Sequence, residues 1–165
     1  RTDVLTFQTN VLTEDLTLAG PVIADLLVSI TGTDADFVVK LIDVFPDDFQ
    51  YPAPRTGSYL MGGYQMLVRG EIMRGKYRNS FETPSPFTPN KIERVKFDLP
   101  DVAHTFQKGH RLMIQVQSSW FPLADRNPQK FVNIYECSEA DFQKATIRLY
   151  HDGTNSSSIS LPVLK

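Results

Sequence analysis

Nucleophilic hydrolysis needs a nucleophile, a base and an orienting acid within hydrogen-bond reach of one another. This chain contains the parts without an evident assembly. Serines are plentiful and Ser118 and Ser119 are adjacent, but none sits in a Gly-x-Ser-x-Gly turn between a strand and a helix. The three histidines, His104, His110 and His151, fall in separate loop or turn contexts. Any one would serve as a base only if the fold carried it to Ser118 or Ser119, and a turn or surface position is the simpler expectation. Asp34, Asp36, Asp43, Asp47 and Asp48 could furnish an oxygen cage for Ca²⁺, yet they lack the spacing of a calcium loop. Turn aspartates are the simpler reading. There is no CxxC pair, no HExxH and no phosphate-cradling glycine loop. The single cysteine, Cys137, excludes an internal disulfide and a multi-cysteine zinc site, and reads as a small apolar filler. No metal and no cofactor is expected. Asn155-Ser156-Ser157 matches an N-glycosylation sequon, a pattern short enough to recur by chance.

Aromatic side chains in loops offer a different chemistry. Tyr51, Tyr59, Trp120 and Phe121 could stack on sugar rings, as in carbohydrate-binding β-sandwiches, or simply close the edge of the core. With Arg126 they form the set of candidate binding or domain-interface residues, and no catalytic residue is assigned.

The elements that position these residues are strands. The clearest follows the turn at Lys108-Gly109-His110: Leu112, Ile114 and Val116 alternate with Met113, Gln115 and Gln117, the period of a half-buried strand. It ends before Pro122, which cannot donate to a ladder, and delivers Trp120, Phe121, Asp125, Arg126 and Asn127 into a loop. Val4 to Thr9 reads as a first strand, and Leu16 to Leu18 as a short one closed by a turn at Gly20-Pro21. Ala24, Leu26, Val28 and Ile30 share one face, as do Phe37, Val39 and Leu41, and Val95, Phe97 and Leu99. Tyr64, Met66 and Val68 resume a strand after a long Pro/Gly-rich loop over 46–63, and Ile147, Leu149, Ile159 and Leu161 mark two more. Arg69, Arg74, Lys76 and Arg78 form a basic segment, expected either to meet carboxylates across an interface or to line a solvated face. Only Ser138 to Phe142 suggests a helix, with Ser138 and Asp141 as a weak capping pair. About eight short strands joined by Pro/Gly loops predict an all-β, antiparallel sandwich or jelly roll, one domain over 1–165.

At 165 residues with 41% hydrophobic and 22% charged residues, the chain can bury a core. The net charge of −2 with scattered basic residues gives no electrostatic case for nucleic acid or anionic lipid. No apolar run approaches a membrane span. The chain opens Arg1-Thr2-Asp3 without Met and enters a strand pattern at once, which predicts a piece of a longer polypeptide.

Several blocks in order carry a resemblance. They are Arg1 to Phe7, Leu12 to Leu16, Thr33 through Pro46, Gly109 through Pro122, Asp125-Arg126-Asn127-Pro128 and Leu161-Pro162-Val163. Together they resemble the C-terminal jelly-roll domain, galactose-binding-domain-like, of the Xaa-Pro dipeptidyl-peptidase/cocaine-esterase (CocE/NonD) hydrolase family. The likeness is closest to α-amino-acid ester hydrolases and glutaryl-7-aminocephalosporanic acid acylases. The resemblance implies a Ser-Asp-His triad in a separate α/β-hydrolase domain, so no triad residue carries over to this chain. It implies that the β domain packs on that catalytic domain of the same polypeptide, helps wall a pocket for a small ester or amide, and can enter homo-oligomer contacts. It further implies that an initial strand can precede the Asp3-Val4-Leu5 block. Family members occur both exported and in the cytoplasm, so no compartment follows. The competing expectation is a stand-alone carbohydrate-binding jelly roll; a self-sufficient hydrolase using His110 or His151 is a third.

Overall fold

The computed structural model describes residues 2–50, 61–153 and 155–164. Tyr51 and Tyr59 lie outside the described residues. Nine strands are present among those described: β1 (Val4–Gln8), β2 (Leu16–Ile30), β3 (Asp36–Val44), β4 (Gln65–Arg74), β5 (Glu93–Phe106), β6 (Arg111–Gln117), β7 (Ile147–Asp152), β8 (Asn155–Ser156) and β9 (Ser158–Ser160). They form two sheets. One has the order β1-β6-β3-β4; the other runs β5-β2-β7-β8, with β9 also on β2. Every pairing is antiparallel. The result is the expected antiparallel β-sandwich.

The alternation read from sequence becomes the inter-sheet core. Leu18, Val22, Ala24, Leu26, Val28 and Ile30 from β2 meet Phe37, Val39 and Leu41 from β3, Val95, Phe97 and Leu99 from β5, and Leu112, Ile114 and Val116 from β6. Fully burying each large side chain is worth about 1.5–3 kcal/mol. β3 is central and buried on both faces, since Val38 and Ile42, pointing away from this core, are also sequestered. Its near-continuous apolar run, Phe37 to Ile42 broken only by Lys40, has that cause.

One expected boundary is overturned. Leu16 to Leu18 is not a short strand closed by a turn; the strand continues through Gly20-Pro21 to Ile30. Gly20 pairs with Val102 and Val22 with Leu99, so Pro21 faces Pro100 and Asp101 across a bulge. The two prolines, neither able to donate, are concentrated where the ladder is already interrupted. Gly20 accommodates the kink with φ +125°, a conformation closed to residues with a Cβ. The helix signal at Ser138 also shrinks to one 3₁₀ turn, Glu139–Asp141, with the Asp141 carboxylate accepting from the Ser138 N–H at 3.0 Å.

β1 pairs only with β6 among the described residues. Its Leu5 and Phe7 remain partly exposed at the open side of the sandwich. There a cleft of about 480 Å³ is lined by Leu5, Phe37, Val116, Ser118, Ile147 and Leu149.

Candidate functional site

Between β6 and β7 the chain runs through 118–146 with no regular structure beyond the single 3₁₀ turn, and Trp120, Phe121 and Arg126, three of the five sequence candidates, lie here. Irregular backbone needs partners from elsewhere, and the sheet that carries β3 and β4 supplies many of them. Asp36, 1% exposed at the start of β3, accepts a hydrogen bond from Asn127 Nδ2 at 2.8 Å. The same carboxylate takes the Arg74 guanidinium side-on, at 3.1 and 3.2 Å. Arg74 also donates to the Asp125 carbonyl at 3.1 Å, and Lys76 Nζ to the Val132 carbonyl at 2.9 Å. Thr33 bonds the segment twice: its N–H donates to the Gln129 carbonyl at 3.2 Å, and its hydroxyl accepts from the Phe131 N–H at 2.8 Å. Gln143 closes the segment on itself, from its N–H to the Pro128 carbonyl and from its side chain to the Gln129 carbonyl.

Asp36 and its neighbour Asp34 are buried carboxyls, and burial pushes both above the usual carboxylate range; their mutual repulsion adds to this at Asp34. Asn127 and Arg74 pull Asp36 the other way, and the Ala35 and Lys76 N–H groups do so at Asp34. At the exposed end of the segment the balance reverses. Lys130 and the Ser138 N–H hold Asp141 down at about 2.

What this frame holds up is apolar. Phe121 is 61% exposed, Leu123 72% and Tyr135 84%, with Phe131 and Phe142 also at the surface. Arg126 stands among them, its guanidinium carbon 5.1 Å from the Phe142 ring centroid and 5.9 Å from that of Phe121. Trp120 is placed differently from its neighbour. It lies on its own sheet, with Lys40 Nζ 4.7 Å from the ring centroid and Gly70 beneath it. A Cβ at position 70 would come within 2.7 Å of the Trp120 ring, which is why the strand carries glycine there. One face of the indole is thus taken, which weakens the sugar-stacking expectation for Trp120.

The basic segment is neither of the two things expected of it. Arg74 and Lys76 serve the loop frame. Arg78, whose side chain is almost wholly buried, pairs with Glu93 at 2.6 Å and donates to the carbonyls of Gly75, Ser85 and Pro86. Arg69 donates to the Asp101 carbonyl at 2.6 Å. These cations neutralise and tether loops of their own domain.

The histidines correct a second expectation. His104 lies within β5 and His110 just before β6, and Asp43 bridges them: Oδ2 to His104 Nε2 at 2.9 Å and Oδ1 to His110 Nδ1 at 2.8 Å. The His110 ring packs on Phe45 with centroids 4.5 Å apart, and His104 sits edge-on to Phe106. Among the described residues this Asp-His pairing has no serine hydrogen-bonded to it. His110 precedes β6 and Ser118 follows it, so seven strand residues, about 23 Å at 3.3 Å each, separate them. His151 packs on Phe7, whose register partner is Ile114, four residues short of Ser118. The pattern missed at the sequence level was Asp43 at the far end of β3 from Asp36, on the same strand that His110 must flank. The aspartates are therefore dispersed: Asp34 accepts from the Ala35 and Lys76 N–H groups, Asp36 faces arginine and Asp43 faces histidine. Among the described residues no cluster of three or more His, Cys, Asp or Glu converges as a metal site would require. Within the sequon, the Ser157 hydroxyl is spent between Leu27 and Tyr150, and the Asn155 side chain lies outside what is described.

The geometry is that of an antiparallel β-sandwich with an irregular segment, 118–146, that presents aromatics at its surface. The chain belongs to the family of X-Pro dipeptidyl-peptidase C-terminal non-catalytic domains, whose model matches residues 1–160. It is 33% identical, over all 165 residues, to the cocaine esterase of Rhodococcus sp. (strain MB1 Bresler), and covers 26% of that protein. Among solved structures it is similar to an α-amino acid ester hydrolase, with TM-score 0.92 and 50% identity over 99% of this chain. It is also similar to an aminopeptidase from a marine sediment Thaumarchaeota archaeon, with TM-score 0.90 and 43% identity over the whole chain. The chain spans about a quarter of each of these relatives, 26% in every case.

Proposed function

We propose that this chain is the accessory sandwich of a larger serine hydrolase acting on esters or amides of amino acids, and that 118–146 docks it on the catalytic part of the same polypeptide. The observation that carries the reading is the pairing of a buried, hydrogen-bonded frame (Asp36, Arg74, Asn127) with exposed Phe121, Leu123 and Tyr135. Large exposed apolar side chains grouped on one surface mark interaction sites, and holding them rigid beforehand lowers the ordering cost of docking. The names of the relatives, an esterase, an ester hydrolase and an aminopeptidase, support acyl transfer from esters or amides as the chemistry of the whole. In that role the sandwich itself supplies no nucleophile and contributes one wall beside the substrate pocket.

The test is made on the polypeptide that contains this chain. Phe121→Ser with Tyr135→Ser should lower kcat/KM toward amino-acid p-nitrophenyl esters and uncouple the unfolding of the sandwich from the rest. Unchanged kinetics together with unchanged unfolding would remove 118–146 from the docking surface. Saturable sugar binding with no esterase activity from the longer polypeptide would put the carbohydrate-binding reading in its place.

A further inference from the structure

Arg126 is a cation of this surface left without an acid among the described residues. It is exposed, it lies between the rings of Phe121 and Phe142, and it forms no ion pair among the described residues. Its neighbours are treated differently. Lys130, four positions on, is paired with Asp141 at 2.8 Å, Arg74 with Asp36 and Arg78 with Glu93. A guanidinium flanked by aromatic rings can keep its N–H fork open, an arrangement suited to a carboxylate approaching edge-on. Desolvated aromatic-plus-arginine clusters are also the composition that dominates binding energy at interfaces.

We infer that the partner surface presents a carboxylate ringed by apolar side chains, which Arg126 receives edge-on while Phe121, Leu123 and Phe142 exclude water around it. The inference rests on the docking role proposed above and commits to the catalytic part of the same polypeptide as the occupant. Because Arg126 forms no ion pair among the described residues, replacing it should change the sandwich's own stability little and act mainly on the contact.

The experiment uses the longer polypeptide with four substitutions: Arg126→Glu, Arg126→Lys, Phe142→Ser and Lys130→Glu. Coupling is read from whether unfolding occurs in one transition or two, and from the rate of proteolytic cleavage within 118–146. Arg126→Glu should split the transition and raise cleavage by about tenfold or more, because it sets a like charge against the buried carboxylate. Arg126→Lys should give a smaller change, since a point charge lacks the planar fork. Lys130→Glu should change cleavage far less than Arg126→Glu. An equal effect of Lys130→Glu would show that net charge alone matters and would overturn the paired carboxylate. If Phe142→Ser uncouples the domains and Arg126→Glu does not, the carboxylate is lost and docking stands. If neither does so, the docking reading falls with it. A change in molar mass by light scattering with coupling unaltered would assign the surface to a second copy and overturn the inference.

Discussion

Asp36 and Asn127 lie 91 positions apart in the chain and meet at 2.8 Å in a buried hydrogen bond. This contact joins the first residue of the central strand to an irregular segment, so the position of that segment is set from inside the sheet. Removing the Asp36 carboxylate strands Arg74, which is only 19% exposed. Breaking one side of a largely buried pair costs about 3–5 kcal/mol. Asp36→Ala should therefore lower the urea midpoint by an amount corresponding to about 3 kcal/mol and open amides of 118–146 to hydrogen exchange. A midpoint within error of wild type would show that the segment is held by its backbone contacts alone.

Asp43 does for the opposite end of β3 what Asp36 does for its start. With both oxygens engaged by His104 and His110, Asp43→Ala leaves two ring nitrogens without their acceptor. A buried polar group deprived of its partner costs about 1–3 kcal/mol. The expected outcome is a loss of about 2–4 kcal/mol, the upper part of which reflects the two rings. Under the accessory role proposed above, esterase activity of the longer polypeptide, measured well below the unfolding temperature, should persist, because no serine among the described residues bonds to this pair. Loss of turnover in a folded Asp43→Ala protein would reopen a chemical role.

Gly70 and Trp120 should be coupled energetically. A methyl at 70 would intrude on the indole at 2.7 Å, so Gly70→Ala must displace it. Overpacking of this kind costs about 1–3 kcal/mol. In a Trp120→Ala background the same change should cost almost nothing. A double-mutant cycle that comes out additive would contradict the contact.

The carboxyls predict opposed pH behaviour. Asp34 and Asp36 have their native pKa raised above 3.8, mainly by burial, so the native state holds their protons more tightly than the unfolded state. Their contribution favours the fold at low pH and declines as pH rises from 3.8 through their raised values. Asp141, held at about 2 chiefly by Lys130, contributes stability above 3.8 that disappears as pH falls toward 2. Carboxyl ¹³C titration should show Asp141 with a midpoint near 2 and Asp34 and Asp36 above 3.8. Asp36→Asn should also bring the Asp34 midpoint down, since one source of repulsion is gone.

The strands were legible in the sequence wherever one face is buried, because Leu112, Ile114 and Val116 or Ala24, Leu26 and Val28 must alternate to reach the same core. Gly20-Pro21 misled because its local signal is that of a turn, while the cause of its conformation is a bulge opposite Pro100, far along the chain. The loop candidates Phe121 and Arg126 were found from type and position, and they do sit together. Their frame was not legible. Nothing near Asp36 in sequence indicates Asn127, and Arg74 and Lys76 read as a charged stripe because their acceptors are carbonyls and carboxylates brought in by the fold. His104, Asp43 and His110 were invisible as a set for the same reason.

The segment 118–146 is fastened largely through main-chain atoms: the carbonyls of Asp125, Pro128, Gln129 and Val132 and the N–H groups of Phe131 and Gln143. Side chains at 121, 123, 135 and 142 take little part in that fastening. Mutation can therefore rewrite the exposed lettering of the surface while its height and tilt stay put. A frame of this kind would let the docking role proposed above be retuned by substitution at a few exposed positions, with no change to the sheet beneath.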